Sequence, residues 1–233
     1  MATQDSPVQG RIKTISLRLP LRMGSVNCYL VQVDAGHVLI DTGSSNSRTE
    51  LEAELEGAGC KPGNLRLIVL THGDFDHSGN AAYLRERFGT RIAMHRDDWG
   101  IVEGGDMFWN RRRGMPQRLF GALAPVLSGF GKRERLTPDL DIRDGDDLSA
   151  RGFDAKVLSV PGHSKGSVAV LTAAGELFCG DLFANMEEPA LNSIMDDREA
   201  ARASAERLKG MGIATVYPGH GKPFRMELFT GSR

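Results

Sequence analysis

Cysteine, aromatic side chains and any surplus of charge are scarce in this chain. Its three cysteines, Cys28, Cys60 and Cys179, are odd in number and widely spaced among 233 residues, which excludes both a disulfide framework and a CxxC metal knuckle. They read as reduced thiols, with Cys28 and Cys179 inside apolar strands as core residues. Lysine and arginine number 29 against 30 aspartates and glutamates, a net charge of -1 that gives no long-range reason to expect a nucleic-acid or membrane partner. No run approaches the roughly 20 apolar residues needed to span a bilayer. The opening MATQDSPVQGRIKTI lacks the basic start and apolar stretch of a secretory signal. These absences leave a soluble, cytoplasmic protein with a small-molecule substrate, a homodimer remaining open.

What is present is a hydrophobic content of 40%, enough for an ordinary globular core. Apolar runs at Ile12 to Leu19, Val26 to Val33 and Val38 to Ile40, divided by Pro, Gly and Asp, read as a strand meander. Helical spacing of Leu51 and Leu55 marks a helix over Ser47 to Ala58, and Leu65 to Leu70 is a short buried strand. A helix at Asn80 to Phe88 and a strand at Arg91 to Met94 follow. The second half repeats the style, with strands at Ala155 to Val160, Val168 to Thr172, Leu177 to Phe178 and Ala214 to Val216, and a helix at Asp197 to Lys209. This mixture predicts an α/β fold, two packed mixed β-sheets flanked by helices, as one domain over 1–233. The stretch from about 96 to 139 has no strand period and reads as a mostly helical flap inserted into that domain.

Four strands run directly into loops bearing metal-capable side chains: His72, Asp74, Asp76 and His77 in THGDFDHSGN, His163 in PGHS, Asp181 in GD, and His220 in YPGHG. A buried strand followed by a glycine-bearing loop aims a ligand rigidly, and glycine lets the backbone approach an ion closely. A mixed imidazole and carboxylate set without thiolate suits a catalytic zinc, iron or manganese site better than a closed structural one. Seven ligands are too many for one tetrahedral ion and suit two ions that share a bridge.

In order and spacing these segments, with LIDTG at Leu39 to Gly43, resemble the metallo-β-lactamase superfamily, whose signature is His-x-His-x-Asp-His followed by a distant His, a bridging Asp and a last His. The resemblance covers Ile12 to Pro223 and implies the family's αββα sandwich. It also implies that His72 and His163 hold one metal, that Asp76, His77 and His220 hold the second, that Asp181 bridges them, and that Asp41 supports the ligands from behind. One departure stands out, since Asp74 occupies the place of the second histidine. A carboxylate there resembles the di-iron flavodiiron branch, though no flavodoxin module is read in this chain. Counted alone, Asp74, Asp76, Asp181 and a bridging hydroxide would balance the charge of two divalent cations, which should weaken the metals as Lewis acids and favour iron or manganese relative to the all-histidine site.

The resemblance implies hydrolysis of an ester, thioester, lactone or phosphodiester by a metal-bridging hydroxide. Two divalent ions are expected, zinc first with iron or manganese as alternatives, and Asp76 or Asp74 would orient the nucleophile or take its proton. A di-iron redox protein acting on oxygen or nitric oxide with a separate electron donor, and an inactive metal-binding sensor, are the competing readings. Lys222, Trp109, Phe120 and Arg112 are candidates for contacting substrate, although the run Arg111, Arg112, Arg113 reads first as a solvated face. His37 and His95 have no place in the motif and read as surface or packing residues.

Overall fold

The structure is a computed structural model that describes residues 12–20, 23–111 and 129–229. Its first sheet orders β1 (Ile12–Arg18), β2 (Ser25–Val33), β3 (Gly36–Ile40), β4 (Leu65–Val69), β5 (Arg91–Met94) and β6 (Leu140–Asp141). The meander β1–β2–β3 is antiparallel, and β3 to β6 are parallel. In the second sheet β7 (Ala155–Ser159), β8 (Val168–Thr172) and β9 (Glu176–Asn185) run antiparallel, β11 (Thr215–Gly221) lies parallel to β9, and β10 (Pro189–Leu191) and β12 (Phe224–Arg225) edge the pair.

Alternation along the strands builds the layers. In β2, Tyr29 and Val31 face the second sheet, where they join Val38, Ile40, Leu67 and Val69 against Val157, Val168, Val170 and Phe178. Cys28 and Leu30 point the other way, onto Leu51 and Leu55 of α1 (Arg48–Gly57) and Leu84 and Phe88 of α3 (Ala81–Phe88). Across the second sheet, Ala169, Leu177, Cys179 and Val216 pack against Ala201, Ala205 and Leu208 of α5 (Arg198–Leu208). Each buried Leu, Val or Phe contributes about 1.5–3 kcal/mol, so three such layers fix how the sheets sit together. The result is the expected two-sheet sandwich with helices outside. Among the described residues no helix is long and apolar enough to cross a membrane.

Several elements differ from expectation where glycine and proline read as loop. Strand β9 continues through Gly180 and Asp181 to Asn185, and β11 continues through Pro218 and His220 to Gly221, with register shifts at Tyr217/Pro218 and Pro218/His220. Proline has no N–H for the ladder, and these irregularities let the strand pass it without ending. A four-residue helix, α2 (Phe75–Ser78), forms inside the ligand-bearing loop. In the flap the described helical part is a 3-10 turn at Arg96–Asp98 and α4 (Trp99–Gly104).

Candidate metal centre

His72, His77, His163 and His220 come together with Asp74, Asp76 and Asp181 in one cluster. Each histidine has its Nδ1 held by an oxygen: His77 by Asp41 Oδ2 at 2.9 Å, His72 by Thr71 Oγ1 at 3.0 Å, His163 by the Ile194 carbonyl at 2.7 Å and His220 by the Ser25 carbonyl at 2.8 Å. A carbonyl or carboxylate can only accept, and the Thr71 hydroxyl already donates to Asp41 Oδ2 at 2.8 Å. All four Nδ1 atoms therefore carry hydrogen, so each ring when neutral has its lone pair on Nε2, the tautomer a metal-binding imidazole needs.

Those Nε2 atoms converge on the carboxylates. His163 Nε2 lies 3.0 Å and His72 Nε2 3.9 Å from Asp74 Oδ2. His77 Nε2 is 3.3 Å from Asp181 Oδ1, and His220 Nε2 is 3.4 Å from Asp181 Oδ2 and 3.5 Å from Asp76 Oδ2. Donors bound to one tetrahedral ion at about 2.0–2.2 Å stand about 3.3–3.6 Å apart, which these spacings bracket. Three donor groups result: His72, Asp74 and His163; Asp76, His77 and His220; and His72, His77 and Asp181 between them. His72 Nε2, His77 Nε2 and Asp181 Oδ1 are buried without a hydrogen-bond partner, an arrangement that costs free energy unless a cation completes it. The residues thus fit a pair of divalent ions. His37 and His95 belong to none of the groups.

The backbone is shaped to bring these atoms together. Asp41 holds a left-handed φ of 58° while its carboxylate accepts from Thr71 N–H, Thr71 Oγ1 and His77. At Gly219 a Cβ would lie 2.3 Å from Asp181 Oδ1 and 2.6 Å from His77 Cε1, so only glycine allows the last segment this close. Strand β2 clamps that segment: Asn27 Nδ2 donates to the carbonyls of Pro218 and Gly221 at 3.1 and 2.7 Å, and the Tyr29 hydroxyl donates to Pro218.

Charge sets the protonation of the metal-free site. Burial opposes protonation of His77 and His220, but Asp181 and neighbouring carboxylates outweigh it, raising His77 and taking His220 up to about 9. Burial likewise opposes protonation of His163, which the hydrogen bond and charge of Asp74 raise. His72 goes the opposite way, lowered by burial and then by the charges of His77 and His163. Burial holds Asp76 above the usual carboxylate range.

Two buried side chains escaped the sequence reading. Asp98, 1% exposed, accepts from Gly73 N–H at 3.1 Å and Ser164 Oγ at 2.6 Å through Oδ2, and from Gly166 N–H at 2.9 Å through Oδ1, tying the His72 loop to the His163 loop. Arg111 corrects the expectation of a solvated arginine face. Its side chain is 1% exposed and pairs with Asp74 Oδ1 and, at 3.4 Å, with Asp196 Oδ2. Of the substrate candidates, Lys222 is exposed with its N–H on the Asn185 carbonyl, and Trp109 is half exposed against Gly100 of α4. Phe120 and Arg112 lie outside the described residues.

Sandwich and donor set define a class, and the chain belongs to it: the family model described as the metallo-beta-lactamase superfamily matches residues 21–220. Among relatives, the human metallo-beta-lactamase domain-containing protein 1 is 28% identical over 213 residues, 89% of this chain and 66% of that protein, so this chain spans about two thirds of that relative's length. The hydroxyacylglutathione hydrolase GloC of Haemophilus influenzae is 29% identical over 169 residues, 70% of this chain and 69% of that protein. A crystal structure of TTHA1623 in a di-iron-bound form superposes with a TM-score of 0.69 at 28% identity, covering 91% of this chain and 94% of that one. Family, relatives and convergent donors together support a metal-dependent hydrolase.

Proposed function

We propose that the chain hydrolyses an ester-like bond, a thioester first, at a two-metal site held by His72, Asp74 and His163 on one side, Asp76, His77 and His220 on the other, and Asp181 between. The observation that carries this is the common tautomer of the four imidazoles, each fixed by a different oxygen so that Nε2 faces the carboxylates. Two divalent ions there would supply an acidified water and polarise the oxygen of the scissile carbonyl or phosphoryl group.

The chain's own residues divide the remaining work. Asp76 is the most open of the three carboxylates, its side chain 28% exposed against 11% for Asp74 and 7% for Asp181. Its raised pKa suits a group that takes a proton from the attacking water. Asp74, engaged by Arg111 and His163, holds position instead. Exposed apolar side chains adjoin the segments that orient the histidines: Ile194, whose carbonyl binds His163, and Met23 and Met186, near the Ser25 carbonyl that binds His220. They suit an acyl substrate with an apolar part, in line with the acyl-thiol substrate in the name of the GloC relative.

A screen of metal-replete protein across thioesters, lactones, β-lactams and bis-p-nitrophenyl phosphate, before and after chelation, tests the reading. Thioester turnover lost on chelation and restored by zinc, manganese or iron is the expected result. Turnover that survives complete metal removal would sink it. The di-iron-bound neighbour keeps iron as an alternative metal, and oxygen consumption with a reductant would move the assignment to redox chemistry.

A further inference from the structure

Asp74 stands at the helix N-cap of α2, yet its side chain makes no capping bond. Both of its oxygens are engaged elsewhere. Oδ1 meets the Arg111 guanidinium, and Oδ2 faces His163 Nε2 at 3.0 Å and His72 Nε2 at 3.9 Å. One oxygen is therefore given to a permanent cation and the other to the place where the first metal would sit.

The delivery of Arg111 is built rather than incidental. Its N–H bonds the Phe108 carbonyl at 3.0 Å, and the preceding Asn110 holds a left-handed φ of 57° while its Nδ2 donates to the Asp97 carbonyl at 3.0 Å. Asp97 adjoins Asp98, the carboxylate that holds Gly73 N–H inside the His72 loop. On the far side, Asp196 Oδ2 forms an ion pair with Arg111 Nε at 3.4 Å while the Asp196 N–H bonds the Gly162 carbonyl at 2.9 Å, next to His163. Buried Arg111 thus touches Asp74 and Asp196 directly, while the segments that hold it also bear on the loops of His72 and His163.

We propose that Asp74 and Arg111 act as one unit in place of a neutral ligand, with Arg111 a positioning residue whose charge matches Asp74 and directs Oδ2 alone toward the metal. This rests on the metal centre proposed above. With Arg111 included in the charge count, the site is no more anionic than its all-histidine counterpart, so Asp74 by itself gives no reason to prefer iron or manganese. The two residues must then change together. Asp74→His alone would leave a buried guanidinium beside a divalent ion with no carboxylate between them.

The test is a cobalt(II) titration of the metal-free full chain as wild type, Asp74→His, Arg111→Gln and the double variant, followed by ligand-field absorption, with circular dichroism confirming the fold. Wild type should take two equivalents. Asp74→His should lose the first position or bind there at least about tenfold more weakly, the scale of ligand-support losses, and the double variant should regain it. Arg111→Gln keeps an amide donor for Asp74 but removes the repelling charge, so it should bind the first ion more tightly than wild type. If Asp74→His alone bound both equivalents as tightly as the double variant, the unit would not exist. Should Asp74→His fail to fold, Arg111→Gln decides, with unchanged or weaker first-position affinity overturning the inference. A wild type that binds no metal overturns the metal centre and this inference together; two equivalents with additive effects overturns this inference alone.

Discussion

The two halves of the site are made of similar donors and built in different ways. His72, Asp74 and His163 are themselves sealed, with buried Arg111 and Asp98 and half-buried Asp196 packed behind them. Around Asp76 and His220 the side chains remain 28% and 19% exposed, and their support is the β2 clamp of Asn27, Tyr29 and the Ser25 carbonyl. A sealed half suits holding an ion, whereas an open half suits receiving water and substrate. On the function proposed above, this difference assigns proton transfer to Asp76 and structural dependence to Asp74.

The largest effect should come from removing the residue the halves share. Asp181→Ala takes away the carboxylate facing His77, His163 and His220, so paired metal binding should disappear and turnover fall at least about a hundredfold. Metal analysis with steady-state kinetics checks this, and two retained metals with near-normal turnover would remove Asp181 from its place as the bridge.

Next, Asp98→Ala should damage the sealed half selectively. It strands the buried N–H groups of Gly73 and Gly166, at a cost of about 2–3 kcal/mol in urea unfolding of the metal-free protein. Affinity at the first position should drop while the second position stays within about twofold, because Asp98 touches none of its ligands. Equal losses at both positions would erase the distinction between the halves.

Proton release sharpens the same contrast. With His220 at about 9 and His77 raised by the carboxylates around it, an ion entering the second position of the metal-free site must displace protons. Affinity at the second position should therefore rise with pH up to at least about 9, with protons released as the ion binds at pH 7. At the first position only His163 is raised while His72 is lowered, so fewer protons should leave there than at the second. Titrations in two buffers of different ionisation enthalpy count them. The smallest effect belongs to Trp109→Ala, which should leave metal content unchanged and shift KM by only a few fold, since the half-exposed ring packs on Gly100 and belongs to no donor group.

The donors were legible because each follows an apolar run whose burial the sequence dictates, so their approach depends on strand placement alone. Asp98 and Arg111 lie in a segment with no hydrophobic period, and what buries them is distant in sequence: Gly73, Ser164 and Gly166 for one, Asp74 and Asp196 for the other. A run of arginines looks solvated until a buried acid demands one of them. Asp74 was that signal, because a charged ligand in place of a neutral one calls for a nearby cation. The lengths of β9 and β11 were hidden for a different reason, since Gly180 and Pro218 signal turns locally while the neighbouring strands carry the ladder past them.

The clamp between β2 and the last donor segment has a consequence for the order of assembly. Ser25 and His220 meet across 195 positions of chain, and Asn27 and Tyr29 close the same gap. His220 has no fixed direction until β2 and β11, from opposite ends of the chain and from different sheets, have met, and contacts of such high sequence separation form slowly. During synthesis the first donor loop emerges long before the segment that finishes the site. A nascent chain can therefore offer only part of the donor set, and full metal affinity becomes a report that the whole sandwich has closed.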